Sequence, residues 1–147
     1  MGIKFISRTP ALALVVDQPS WRISRGAASV IVRPSTSAGS PVSGTIMLPI
    51  STPPVIDGDN IKSVSASVRF RTGSDARVTN FGVHDGESTI HNEAANLSQP
   101  TLQDRPLSLP DQQVRRAIVV SLQVRFSGTP ADDFIELVFA EVTFDNI

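Results

Sequence analysis

From Ser63 to Thr72 the chain alternates without a break. Val64, Ala66, Val68 and Phe70 share one parity, and Ser65, Ser67, Arg69 and Arg71 share the other. Successive strand side chains point to opposite faces, so this is the pattern of an antiparallel strand with one dry and one wet side. Val114 to Ser127 repeats it, with Ile118, Val120, Leu122, Val124 and Phe126 against Ala117, Val119, Ser121, Gln123 and Arg125. No window of ten or more residues carries a helical stripe. Eleven prolines in 147 residues also interrupt the chain too often for long helices, since proline removes a backbone donor and clashes with the preceding turn.

Shorter strand candidates fill the rest. The apolar run Ala11 to Val16 reads as the first strand, followed by Trp21-Arg22-Ile23, Ala28 to Val32 and Thr45 to Ile50. Residues 33–44 are rich in Ser, Gly and Pro and read as a long loop inside one domain. The Pro-rich stretch at 49–58, with its Asp57-Gly58 turn signal, reads as a crossing between sheets. Beyond the Gly73-Ser74-Asp75 turn, apolar residues change phase between Val78 and Phe81, which predicts a β-bulge near Asn80. Asn92 to Arg105 has little periodicity and reads mostly as loop. Leu107 and Leu109 mark a short edge strand between Pro106 and Pro110. Phe134 to Phe144 is apolar on both parities, which implies a strand at a sheet centre under a cover or at a subunit contact. About eight or more strands with closely spaced turns predict an all-β fold. The expectation is an antiparallel β-sandwich (jelly-roll-like) or flattened barrel, as a single domain over residues 1–147.

Composition narrows the function classes. The net charge is −1 and no basic run occurs, so nucleic acid is not an expected partner. Cysteine is absent, which excludes a disulfide framework and a thiolate zinc site. Lys4 and Arg8 precede the run at 11–16, but six apolar residues ending in Asp17-Gln18-Pro19 do not make a secretory leader. No stretch is long and apolar enough for a membrane span. A soluble, cytoplasmic protein is the expectation. Charged residues make up only 18% of the chain, and neutral surface favours self-association, so a homo-oligomer is expected.

The candidates for chemistry are few. His84 and His91 are the only histidines. A hairpin over residues 81–91 would let them meet, and Asp85, Glu87 or Glu93 would complete a His/His/carboxylate metal set. The competing reading is that His84-Asp85-Gly86 is an ordinary turn whose carboxylate caps backbone donors. Asp57, Asp59, Asp104, Asp132 and Asp133 also fall in expected turns. Glu136 and Glu141 differ, because they interrupt an apolar strand. Pointing inward they are catalytic candidates; pointing outward they pair with Arg69, Arg71 or Arg125. No nucleophile elbow and no phosphate-binding glycine loop occurs, and no cofactor is expected. Asn96-Leu97-Ser98 matches a glycosylation acceptor, a tripeptide common by chance. The wet-face residues Ser65, Ser67, Arg69, Arg71, Ser121, Gln123 and Arg125 form either a solvated surface or one arginine-bearing binding face for a sugar or small carboxylated molecule. Trp21 is the only tryptophan and tyrosine is absent, which gives little material for an aromatic sugar platform.

Residues 48–58 read Leu-Pro-Ile-Ser-Thr-Pro-Pro-Val-Ile-Asp-Gly, residues 78–86 read Val-Thr-Asn-Phe-Gly-Val-His-Asp-Gly, and Leu97-Ser98 follows. Together they resemble a family of small β-rich proteins of unknown function found in bacteria and fungi. That family shows a Pro-Ile-Pro-Thr-Pro segment, an Asp-Gly, a strand, and an aliphatic-aromatic-Asp-Gly turn. Here Ser51 stands at the middle proline and His84 at the aromatic. The resemblance spans roughly residues 45–126. It implies a β fold and no particular activity.

Three functions follow as expectations. The first is a non-catalytic ligand-binding or structural β-sandwich module that self-associates through a sheet face. The second is a small cofactor-independent enzyme of isomerase, cyclase or lyase type, with a pocket near His84, Asp85 and Glu136 or Glu141. The third is a lectin-like carbohydrate-binding module.

Overall fold

The computed structural model describes residues 4–36, 41–52, 60–127 and 132–146. The Asp57-Gly58 turn, the carboxylate Asp59, part of the loop at 33–44 and residues 128–131 lie outside these. The described residues form eleven strands in two antiparallel sheets. The first sheet runs β3 (Arg22–Arg25), β4 (Val30–Arg33), β11 (Ile135–Asn146), β6 (Ile61–Thr72) and β9 (Gln103–Gln113). β1 (Lys4–Pro10) joins β11 beyond the end of β4, along Phe139 to Asp145. The second sheet runs β2 (Val15–Val16), β5 (Ser43–Pro49), β10 (Ile118–Arg125), β7 (Arg77–Asp85) and β8 (Ser88–Leu97).

The inward parities of the two sheets meet in one core. Val68, Phe70, Ile135, Leu137 and Phe144 come from the first sheet, and Ile46, Leu48, Phe81, Val120 and Leu122 from the second. Each such side chain contributes about 1.5–3 kcal/mol on full burial. The Phe70 and Phe81 rings reach across the interlayer at 6.0 Å between centroids. Trp21 packs edge-on against Phe126 at 4.8 Å, and its indole N–H donates to the Pro41 carbonyl.

Bulges resolve the places where the sequence pattern changes phase. On β7, Gln123 faces Asn80 and Val124 faces Val78, so Thr79 is the extra residue, one position from the expected site. On β11, Leu137 faces Phe70 and Phe139 faces Arg69, so Val138 is extra. That bulge puts Leu137 and Ala140 both inward and turns Phe139 outward, under the Arg8 guanidinium 4.6 Å away. The double apolar parity of this strand therefore records a bulge. On β6, Val64 is the extra residue; Ser63 is buried inward and Val64 is not, contrary to the simple alternation.

Three segments differ from expectation. Ala11 to Ala13 forms a 3-10 turn, and the first strand precedes it. Ser88 to Leu97 is a strand although its sequence is polar, because it is an edge strand with most of one side in water. β9 likewise runs through Pro106 and Pro110. An edge position tolerates proline because the missing N–H falls on the unpaired side.

Candidate functional site

The outer face of the second sheet collects polar side chains in cross-strand rows. Thr45, Gln123 and Asn80 are neighbours across β5, β10 and β7. So are Met47, Ser121 and Gly82, and at the end of the strands Ser43, Arg125 and Arg77. Thr45 and Gln123 of the first row and Ser43 and Arg125 of the third line a groove of about 450 Å³ walled by Asp17 and Gln18. It shares Thr45 and Gln123 with a second hollow of about 320 Å³ that is lined by Met47, His84, Val119 and Ser121. The wall is fixed by backbone contacts. Asp17 Oδ1 accepts the Thr45 N–H at 2.8 Å, and Gln18 Nε2 donates to the Ser43 carbonyl at 3.1 Å. Gly44 makes this approach possible, since a Cβ there would lie 2.6 Å from Gln18 Cγ and 2.8 Å from the Trp21 ring.

His84 lies across Gly82 in the same way. Its Nε2 is 3.1 Å from Ser121 Oγ, and its Nδ1 is 3.3 Å from Thr89 Oγ1. A Cβ on Gly82 would sit 2.5 Å from Ser121 Oγ and 2.9 Å from His84 Nε2. Beyond this cluster the face is unsatisfied. The side chains of Asn80, Gln123 and Arg125 make no hydrogen bond or ion pair among the described residues.

The outer face of the first sheet is the opposite case. Arg8 pairs with Glu141 at 2.8 Å and Arg69 with Asp104 at 3.0 Å. Arg71 pairs with Glu136, which also accepts a 2.6 Å bond from the Ser29 hydroxyl. The Ser29 bond, with Arg71 beside it, holds the Glu136 carboxyl below its ordinary range although partial burial pushes the other way. These charges neutralise one another.

The structure separates residues that the sequence allowed to converge. Glu136 and Glu141 lie on the first sheet's outer face and His84 on the second's, with the core between them. Asp85 is buried and accepts the Arg115 and Arg116 backbone N–H groups, both at 2.8 Å, so it ties its own turn, where Gly86 has φ 60°, to the connection between β9 and β10 and caps donors there. The pocket expected around His84, Asp85 and Glu136 or Glu141 is therefore not assembled. Arg69 and Arg71 are likewise parted from Gln123 and Arg125, because β6 and β10 belong to different sheets. The expected hairpin does form, but His91 pairs with Val83 and shares its inward side, away from His84. His91 meets Glu93 at 3.3 Å, and Glu93 pairs with Arg105 across the β8–β9 seam. Among the described residues no three His, Asp or Glu side chains gather to hold a metal ion. The turn acids Glu87 and Asp133 bond Arg116 and Ser127.

Gln18, Thr45 and Asn80 were not site candidates in the sequence, where Asn80 marked only the expected bulge. Parity places Thr45 and Asn80 on a wet side, but only strand order shows that they flank Gln123.

Residues 9–143 match a family of unknown function, DUF6623. The chain belongs to that family. No curated protein matches the chain by sequence. Among solved structures it is similar to PfGH50B, with 6% identity and a TM-score of 0.57, over 96% of this chain and 23% of that one. The chain thus spans about a quarter of PfGH50B. It is also similar to CBM29_1, a family 29 carbohydrate binding module from Piromyces equi, with 10% identity and a TM-score of 0.50, over 97% of this chain and 90% of that one. At such identities the likeness shows a shared β-sandwich fold for this DUF6623 member.

Proposed function

We propose that this protein is a non-catalytic module that binds a sugar chain along the outer face of the second sheet. One observation carries the reading. The side chains of Gln123 and Arg125 stand unpaired in a groove, with the unpaired Asn80 next to Gln123 across the strands, while on the opposite face Arg8, Arg69 and Arg71 are paired with carboxylates. Sugar hydroxyls are matched by such groups, which donate and accept in fixed planes. Met47 and Val119 supply the apolar patch that the face needs, in place of an aromatic ring. Trp21 serves the core instead. The fold shared with a carbohydrate binding module supports the reading. His84 meets hydroxyls on both ring nitrogens and no carboxylate, so nothing around it orients a general base, and a binding role suits it better.

Calorimetric titration with neutral and charged oligosaccharides tests this. At least one should bind, and Gln123→Ala and Asn80→Ala should each weaken it roughly 5- to 10-fold, as loss of a hydrogen bond to a neutral partner does, with the thermal midpoint unchanged. Binding by none of the panel, or variants that bind as well as the parent, would overturn the proposal.

A second reading concerns assembly. β1 pairs with β11 and with no other described strand, and it carries Phe5 at 45% and Ile6 at 59% exposure. This supports self-association through the β1 edge rather than through a sheet face.

A further inference from the structure

Eleven arginines lie in the chain, and nearly all are engaged. Five pair with carboxylates: Arg8, Arg69, Arg71, Arg105 and Arg116. Arg22 and Arg25 donate to backbone carbonyls, Arg33 stacks on Phe134, and Arg77 and Arg115 donate to the amides of Asn96 and Gln113. Among the described residues Arg125 alone has no hydrogen bond, ion pair or ring contact. It is exposed and borders the groove, and its direct cross-strand neighbour is Arg77.

Like charges directly opposite on a sheet destabilise it. Glu136 lies opposite Arg71 and Asp104 opposite Arg69, and where Arg22 faces Arg33 the two are held by the Pro34 carbonyl and the Phe134 ring. Arg125, opposite Arg77, has no such partner among the described residues. The neighbour of Arg125 on the other side is Ser43, and the nearest acid of the wall, Asp17, already holds the Thr45 N–H. Two guanidinium groups thus adjoin at one end of the groove, and neither forms an ion pair with a carboxylate among the described residues. A guanidinium fork matches a planar or tetrahedral oxyanion in two parallel bonds.

Building on the sugar-binding reading of this face, we propose that its ligand is an acidic glycan, whose carboxylate or sulfate is held at the Ser43 end by Arg125 with Arg77 beside it. The neutral part of the sugar chain then lies along Gln123 and Asn80. An anion at that point offsets the Arg125–Arg77 repulsion. Because the pair is exposed, the attraction weakens as salt is added.

The experiment is a calorimetric titration of the intact protein with three probes of equal length: cellohexaose, a galacturonate hexamer and a sulfated galactan hexamer. Each is run at low salt and again at 0.5 M sodium chloride. An acidic probe should bind at least 10-fold more tightly than cellohexaose at low salt, and the margin should shrink at high salt. Arg125→Gln should remove most of that margin, a loss of roughly 10- to 100-fold for a charge-assisted bond to the acidic probe, against a loss of no more than about 5- to 10-fold for cellohexaose, the worth of one neutral hydrogen bond. Arg125→Lys should fall between, keeping charge and losing the fork. The thermal midpoint of free Arg125→Gln should stay level or rise, since the variant relieves repulsion; a fall would assign Arg125 to the fold and overturn the inference. Whichever acidic probe shows the Arg125-dependent margin identifies the anion as carboxylate or sulfate. If cellohexaose binds as tightly as both acidic probes, or the margin survives in Arg125→Gln, the acidic-glycan inference fails and the groove remains a sugar site. If no probe binds, the sugar-binding reading fails and this inference with it.

Discussion

Gly82 and Gly73 show how one missing Cβ can serve two purposes. At Gly82 an added methyl would meet the ends of two side chains, Ser121 Oγ and His84 Nε2, both of which can move. At Gly73 it would run into the backbone carbonyl of Asp132 and the Phe134 ring, neither of which can give way. Gly82→Ala should therefore cost about 1 kcal/mol, the worth of the His84–Ser121 bond, and shift the His84 ring signals in NMR. Gly73→Ala should cost about 3 kcal/mol, read as a lower denaturant midpoint. Equal costs would mean that the groove floor is as rigid as the turn. Glu136 gives a second test at this scale. Its folded-state carboxyl titrates below the ordinary value of 4.5, so the stability it adds is present above that value and is lost as pH falls through the lower, folded one. Wild type should exceed Glu136→Gln in denaturant midpoint at pH 7, and the gap should close on acidification below 4.5. A pH-independent gap would show that Glu136 acts through packing alone. At this scale the sequence was ambiguous for a physical reason. Glu136 and Asp85 are both acids in or beside a strand, and only the fold tells that one faces Arg71 and the other caps Arg115 and Arg116.

Elements were legible where alternation ran unbroken and obscure where a bulge shifted it. The wet and dry parities of β10 were plain from Ile118 to Arg125. In β11 the same rule gave two apolar sides, because parity counting assumes a constant period of two and Val138 adds one residue. Deleting Val138 would restore the count and slip the pairing. Ala140, Val142 and Phe144 would turn outward, or the strand would lose its pairing with Arg69 and its successors on β6. The deletion should abolish cooperative unfolding, whereas Val138→Thr at the same half-buried site should cost less than about 1 kcal/mol. A well-folded deletion variant would mean that the bulge is not what sets the register. β8 and β9 were underread for a related reason. Edge strands need only one paired side and carry the polar residues and prolines that elsewhere signal loops.

The whole molecule is asymmetric about its core, and the asymmetry bears on both faces and both sides. On one face Arg8, Arg69 and Arg71 meet carboxylates, and on the other Arg125 meets none. One side of the sandwich is sealed, since β8 and β9 meet through Glu93 and Arg105, and the two prolines of β9 protect its edge. The other side carries β1, whose sequence from Lys4 to Thr9 contains no proline. Ile6 points to the first sheet's outer face beside Thr143, and Phe5 lies on the inward parity opposite Phe144 yet stays exposed. Leu12 and Val15 are exposed in the segment that follows. An antiparallel pairing of β1 with β1 of a second copy would continue the first sheet across a two-fold axis and cover Ile6 and Phe5. It would leave the groove on the second sheet open in both subunits, so that two grooves act on one chain and raise its apparent affinity without a new contact. Light scattering on the purified protein should give twice the monomer mass. Ile6→Lys, which places a charge on the free edge as natural edge strands do, should return the monomer with an unchanged thermal midpoint and with groove affinity intact for a short oligosaccharide but reduced for a long one. A wild-type monomer at tens of micromolar, or a dimer that Ile6→Lys leaves in place, would exclude the β1 edge as the contact.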